Sequence, residues 1–272
     1  MGKNKKSVFL SVLIVIVFLF LLFIVLGNIN LFTTKKTYIK NDLIETGNNT
    51  TTLTQLIMQV SRLNEKGPKP KPDKIAYITI DDGPSKFTDG ILSILDSNNV
   101  KATFFMIEGN MRQYPEQLKR MKNEGHSMGF HSVTHDVKKL YKSTESAVDE
   151  FEKCKSTLYK ITNVNSNLMR IPYGSKPYTP EETYNSLVSK GFKIWDWNLD
   201  TEDWKSTTEE ILNNVNKYVG NNDEIVLLMH EKEQSVRALQ GIIDILKSKG
   251  YTIIPISEND EPKNFWKQNL RE

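Results

Sequence analysis

The chain has 272 residues and a formal net charge of +3, with 36 Lys and Arg set against 33 Asp and Glu. That length accommodates one folded domain with an extension, and the interspersed charge lacks the one-sided basic face a nucleic-acid partner requires. A single cysteine, Cys154, excludes an intramolecular disulfide and a thiolate metal cluster.

At the N-terminus, Lys3, Lys5 and Lys6 precede an uncharged apolar run from Val8 to Leu26. A run of this length can cross a bilayer as a helix, whereas a cleaved signal peptide carries a core of about 7 to 15 residues. The lysines on the short side place the N-terminus in the cytoplasm and the rest outside, although Lys35, Lys36 and Lys40 weaken the asymmetry. A polar stretch follows, with one short helical pattern from Leu53 to Leu63 and then Gly67-Pro68-Lys69-Pro70-Lys71-Pro72. Prolines alternating with lysines favour extended, semi-rigid backbone, as in a stalk. The chain therefore divides into a membrane segment over 1–32, a stalk over 33–74, a folded domain over 75–258 and a tail over 259–272.

From Ile75 onward, short β-branched or aromatic runs alternate with amphipathic helical patterns, the pattern of βα units around a parallel sheet. Seven strands are expected, at Ile75 to Ile80, Lys101 to Met106, Ser127 to Phe130, Asn167 to Arg170, Phe192 to Trp197, Glu224 to Met229 and Tyr251 to Pro255. Between them, Phe87, Ile91, Ile94 and Leu95 form one apolar helix face, and Ile211, Leu212, Val215, Tyr218 and Val219 another. Cys154 lies on a third such stripe with Val148, Phe151, Leu158 and Ile161, which makes it a buried structural thiol. Thr179-Pro180-Glu181-Glu182 combines an N-cap, a first-turn proline and a capping-box glutamate, and Ser206 with Glu209 repeats the box. Gly125, Gly191 and Gly250 each sit where a helix ends before a strand, the left-handed C′ position. The expected fold is one barrel-like α/β domain.

The unusual polar residues fall just after expected strands, where parallel α/β folds build their sites. Asp81 and Asp82 follow the first, His131 and His135 the third, Arg170 the fourth, Asp200 and Asp203 the fifth, and His230 the sixth. Histidines four apart on a helical turn point to one side and can share a metal with a carboxylate from elsewhere. Taken alone, the pair also fits two capping or surface histidines, and Asp81-Asp82-Gly83-Pro84 also fits a plain turn. Held at a domain mouth, two adjacent carboxylates can divide labour, one on a metal and one taking a proton. His126, at a helix-to-strand junction, reads as structural. Trp195 and Trp197 read as core, whereas Trp204, beside Asp203, is the tryptophan favoured for stacking on a sugar.

Thr79-Ile80-Asp81-Asp82-Gly83-Pro84, His131-Ser-Val-Thr-His135, Arg170-Ile-Pro-Tyr-Gly174, Asp200-Thr-Glu-Asp203-Trp204 and Leu228-Met-His230 resemble, in order, the five motifs of the polysaccharide deacetylase (NodB-homology) family, carbohydrate esterase family 4. The resemblance spans Ile75 to Ser257 and implies a distorted (β/α) barrel, often with seven strands. It implies that Asp82, His131 and His135 bind one divalent metal, most often zinc, with cobalt or nickel as alternatives. It further implies Asp81 as general base and His230 as the acid that protonates the leaving amine. Arg170 pairs with the base and keeps it ionised, and Asp203 keeps the acid cationic. By the same resemblance the backbone N–H of Tyr173 would stabilise the oxyanion and Leu228 would line the acetyl-methyl pocket, with Trp204, inside a motif, expected to contact the substrate. Ile80, Phe130, Ile171 and Glu231 depart from common family patterns, which bears on substrate fit rather than on the reaction.

The resulting expectation is a single-pass membrane enzyme with an extracellular domain, deacetylating N-acetylglucosamine of peptidoglycan in a Gram-positive-type cell wall and needing no obligate protein partner. Alternatives are deacetylation of N-acetylmuramic acid, exopolysaccharide, chitin oligomers or xylan, a glycan-binding relative without turnover, or another zinc hydrolase. The peptidase signature H-E-x-x-H is absent, since Ser132 follows His131.

Overall fold

The computed structural model describes residues 72–220 and 222–270. The expected membrane segment and stalk lie outside these residues apart from the last few positions of the stalk. Among the described residues, no helix is long and apolar enough to cross a membrane.

The elements run β1 (Ile75–Asp81), α1 (Thr88–Ser97), β2 (Thr103–Met106), α2 (Glu108–Gln113), α3 (Pro115–Asn123), β3 (Ser127–Phe130), α4 (Val137–Leu140) and α5 (Thr144–Thr162). After them come β4 (Leu168–Met169), α6 (Glu181–Ser189), β5 (Lys193–Ile194), β6 (Leu199–Asp200), α7 (Thr208–Tyr218), β7 (Glu224–His230), α8 (Glu233–Ser248) and β8 (Thr252–Ile253). Every ladder is parallel, in the order β5-β4-β3-β2-β1-β7-β6.

β6 is absent from the expected seven strands. Only Leu199 and Asp200 pair with β7, too short a run for a period-two pattern to register. It settles the shape nonetheless. β5 and β6 are the two ends of the order, yet only Trp195–Asn198 separate them in sequence, a link that spans at most about 17 Å. The sheet must curl to bring its ends that close. No ladder joins β5 to β6 among the described residues, so the sheet is a curled half-barrel, consistent with a distorted (β/α) barrel whose ends are linked by the chain alone. β8 adds a second distortion: it pairs with Ile75 and Ala76 at the start of β1, while β2 takes Thr79 to Asp81 at its end.

All seven residues of β1 are buried, as expected for a strand covered on both faces. Ala76, Ile78 and Ile80 belong to the large apolar layer between sheet and helices. Ile75 and Tyr77 join Phe105, Leu168, Trp195, Val226 and Ile256 in a smaller layer inside the barrel, where Tyr77 meets Trp195 edge-on at 5.7 Å. Each such large side chain contributes about 1.5–3 kcal/mol on burial. Helix packing follows the expected stripes, with Val148, Phe151, Cys154 and Leu158 buried on α5 and Ile211 and Val215 on α7, although Tyr218 is exposed.

The three glycines expected at helix ends do take left-handed backbone. Two caps differ from expectation. Thr179 does not cap α6, because its hydroxyl is engaged with the Tyr141 hydroxyl at 2.6 Å. The box on α7 is formed by Thr207 and Glu210, one residue beyond Ser206 and Glu209. Residues from Asn259 on, expected as a tail, pack back on the barrel: Asn264 is buried and donates to the Ile194 carbonyl at 3.0 Å.

Inside the barrel, Gly129 of β3 lies so close to its neighbours that an added Cβ would stand 2.6 Å from the Leu168 carbonyl and 2.8 Å from the Phe105 ring. Gly129→Ala is expected to cost about 1–3 kcal/mol, lowering Tm by several °C in a thermal melt, because backbone cannot yield there as a side chain can. An unchanged Tm would contradict this packing.

Candidate active site

The site grows from the end of β1. Asp81 is the last inward-facing residue of the strand and is 2 % exposed. Its neighbour should point to the opposite face. Instead, Asp82 takes a left-handed φ of 71°, which turns its carboxylate back toward the same mouth. Such backbone is uncommon outside glycine and is tolerated best by Asp and Asn.

β3 supplies the imidazoles. His131 follows the strand directly, but the stretch to His135 is not the expected helical turn: Ser132 and His135 have φ of 81° and 49°, and the segment is irregular. Side chains fold this loop. The Ser132 hydroxyl accepts the His135 N–H at 3.0 Å. Glu150 on α5 accepts the Val133 and Thr134 N–H groups at 3.0 Å each and the Thr134 hydroxyl at 2.7 Å. Glu150 gave no signal in sequence beyond being a charged residue on a helix.

The imidazoles meet Asp82. His135 Nε2 lies 3.4 Å and His131 Nε2 3.8 Å from Asp82 Oδ1, and the three ligand atoms fall within 4.8 Å of one another. His131 Nδ1 lies 2.7 Å from the Arg170 carbonyl, so that nitrogen donates and Nε2 presents its lone pair. Burial pulls His131 down to about 3, ahead of the opposing Asp82 charge, which keeps the ring neutral as a ligand must be. Asp82 Oδ1 is buried without a hydrogen-bond partner, an arrangement costly for a carboxylate unless a cation is meant to meet it. One carboxylate oxygen and two imidazole nitrogens are the donor set of an open divalent-metal site, so these residues fit such an ion.

Arg170, after β4, is fully buried within the barrel. Its Nε donates to the Trp195 carbonyl at 3.0 Å, Nη1 to the Thr79 hydroxyl at 2.6 Å and to Asp81 Oδ1 at 3.0 Å, and Nη2 to the Asp196 carbonyl at 3.0 Å. The sequence suggested that Arg170 keeps Asp81 ionised. Burial outweighs it: desolvation raises the Asp81 carboxyl above its ordinary range, and Arg170 and then His230 oppose that rise without reversing it.

His230 ends β7, in register beside Asp81, and Leu228 lies two residues back, beside Thr79. Asp203, beyond β6, is fully buried and holds His230 twice, accepting its backbone N–H at 2.6 Å and its Nδ1–H at 2.7 Å. The Ser235 hydroxyl bonds to the same carboxylate. Burial alone would lower the His230 pKa, but the Asp203 hydrogen bond and the Asp81, Asp203 and Asp82 charges raise it to about 9. At neutral pH this imidazole is a proton donor.

Asp81, Asp82, His131, His135, Tyr173, Trp204, Leu228 and His230 line a single cleft of about 600 Å³, while Arg170 and Asp203 stand behind it. Tyr178, Trp197, Asp200 and Lys232 line it too. Trp195 is buried in the core as the sequence suggests, whereas Trp197, also expected there, lines the cleft. Tyr178 sits in a loop without periodicity and carried no signal. Tyr173, Tyr178 and Trp204 are 56 %, 52 % and 59 % exposed, large apolar faces left open at the rim. His126 is buried, with Nδ1 accepting the Ala102 N–H at 3.1 Å, as befits a structural histidine.

Comparison with known proteins identifies the family. Residues 68–195 match the model of the family described as polysaccharide deacetylase. A peptidoglycan-N-acetylglucosamine deacetylase of Bacillus cereus is 38 % identical over 207 residues, covering 73 % of this chain and 76 % of the relative. The chitin deacetylase of Colletotrichum lindemuthianum is 33 % identical over 71 % of this chain and 83 % of its own. Among solved structures, a polysaccharide deacetylase from Bacillus cereus superposes with a TM-score of 0.69 at 38 % identity, over 72 % of this chain and 98 % of that one. The chain is a member of the polysaccharide deacetylase family.

Proposed function

We propose that the protein hydrolyses N-acetyl groups of cell-wall polysaccharide, with N-acetylglucosamine of peptidoglycan as substrate. The observation that carries the reading is the meeting in one open cleft of the Asp82, His131 and His135 donor set with a buried carboxylate, Asp81, and a protonated imidazole, His230. Relatives named for the same substrate support it.

Hydrolysis of an acetamide needs a proton removed from the attacking water and one delivered to the leaving nitrogen, since an amide anion is too poor a leaving group to depart unaided. Asp81, made more basic by burial, takes the first. His230, held cationic by Asp203, gives the second through Nε2. As the C–O bond forms and the C–N bond breaks, acetate and a free sugar amine result. A divalent ion held by Asp82, His131 and His135, with zinc the proposed metal, would supply Lewis-acid polarisation of the carbonyl and of water. The Tyr173 backbone N–H is assigned to the developing oxyanion, Leu228 to the acetyl methyl and Trp204 to the face of a sugar ring.

The location proposed is the outer face of a Gram-positive-type cell membrane. The apolar run from Val8 to Leu26 suits a single-pass helix, and the following stretch of about 40 residues, proline-rich at its end, would carry the domain tens of ångströms outward to the wall glycan. The deciding assay measures acetate released from purified peptidoglycan, chitin oligomers, exopolysaccharide and xylan, with and without chelator. Chelator-sensitive release from peptidoglycan is expected, and release only from another polymer would overturn the substrate assignment.

The two adjacent carboxylates should separate by mutation. Asp81→Asn is expected to leave metal content near normal and to lower turnover about a hundredfold or more, whereas Asp82→Asn should lower the metal content itself. Elemental analysis alongside kinetics reads both, and identical behaviour of the two variants would refute the division of roles.

The acid also fixes a pH dependence. Its protonated form is present below about 9 and is lost as pH rises through that value, so kcat/KM should fall on the alkaline side. Asp203→Asn removes the largest upward influence on His230, so the alkaline limb should move to lower pH. A limb that stays in place would show that it belongs to another group.

A further inference from the structure

We infer that the segment from Lys263 to Trp266 is a clamp that positions the glycan-binding wall of the cleft, with Asp196 as its central positioning residue. The inference rests on the deacetylase reading above.

Asp196 lies in the link between β5 and β6 and is fully buried. Its Oδ1 accepts the Ser175 N–H at 2.8 Å, and its Oδ2 accepts the Phe265 N–H at 2.7 Å together with the Ser175 hydroxyl. Its own N–H donates to the Lys263 carbonyl at 2.8 Å. A buried carboxylate is costly unless satisfied, and here the donors come from two segments about 90 residues apart in sequence, so the charge fixes one against the other.

The ring contacts extend the hold to the cleft. Phe265 meets Trp197, which lines the cleft, edge-on at 5.4 Å. Gly174, directly after Tyr173, has a φ of 89° and lies so close to Phe265 that an added Cβ would stand 2.9 Å from the ring. Trp266 Nε1 donates to the Ser175 carbonyl at 2.8 Å, and its ring stacks on Tyr184 at 5.1 Å. One short segment thus braces Trp197 and the loop that carries Tyr173 and Tyr178, surfaces offered to sugar. Loosening it should weaken glycan binding more than it slows the chemical step.

The test compares the full-length protein with its Phe265→Ala and Asp196→Asn variants on an N-acetylglucosamine pentamer, reading acetate release. KM is expected to rise about tenfold in each and kcat to fall by less than KM rises, because the braced loop also carries the Tyr173 N–H and Asp196 also bonds Arg170. Phe265→Tyr, which keeps a ring against Trp197, should return KM to the wild-type value. A purely structural role would lower Tm and the active fraction while leaving KM unmoved, and that result, or a fall in kcat at fixed KM, would overturn the clamp. Should Asp196→Asn fail to fold, Phe265→Ala decides alone, its side chain being half-buried. A wild-type protein that releases no acetate from any glycan defeats the deacetylase reading instead, whereas an active wild type with unmoved variant KM defeats only the clamp.

Discussion

A guanidinium buried in the middle of a barrel is the constraint on which the site depends. Arg170 is fully enclosed, and an uncompensated charge there would be strongly destabilising. It is compensated by four hydrogen bonds to β1, to Asp81 and to the link between the sheet ends, and by the Phe105 ring 4.5 Å away. A planar fork with fixed donors can meet acceptors on several strands at once, which a lysine ammonium cannot do. By bonding to Trp195 and Asp196, the same side chain holds the covalent link that replaces a closing ladder. The curl of the sheet and the placement of Asp81 are therefore one problem with one solution.

Around that centre, burial sets the chemistry of each titratable group by what compensates it. Asp81 rises because desolvation exceeds the pull of Arg170 and His230. His131 falls to about 3 because its desolvation exceeds the opposing pull of the Asp82 charge. His230 suffers desolvation too, yet ends near 9 because Asp203 bonds it directly and three carboxylates surround it. A carboxyl group raised by burial, a neutral imidazole and a cationic one thus coexist in one cleft through differences in their immediate partners.

Backbone conformation completes the aim. Asp82, Ser132, His135 and Tyr173 all adopt left-handed φ, so the loops at the strand ends are tightly folded. Such conformations cost free energy and persist where surrounding contacts over-determine them. Here those contacts include Glu150 and the Ser132 hydroxyl for the histidine loop, and Asp196 for the loop after Arg170.

The sequence by itself determined the class of fold, most of the succession of βα units and the acidic and histidine residues that gather at the cleft. Those features are carried by local patterns: β-branched runs, helical stripes such as that of Cys154, glycines after helices, and short motifs whose residue types announce ligands and proton carriers. Other features depend on contacts between residues far apart in the chain, and only the tertiary structure decided them. β6 exists because β7 offers two residues a ladder. Trp197 reaches the cleft while Trp195, two residues earlier, is sealed in the barrel, a distinction set by how the link crosses from one sheet edge to the other. The segment after Ser257 became a brace because Asp196 needed donors for a buried charge. Whether burial or Arg170 prevails at Asp81 is likewise a matter of enclosure, which residue types and spacing do not encode.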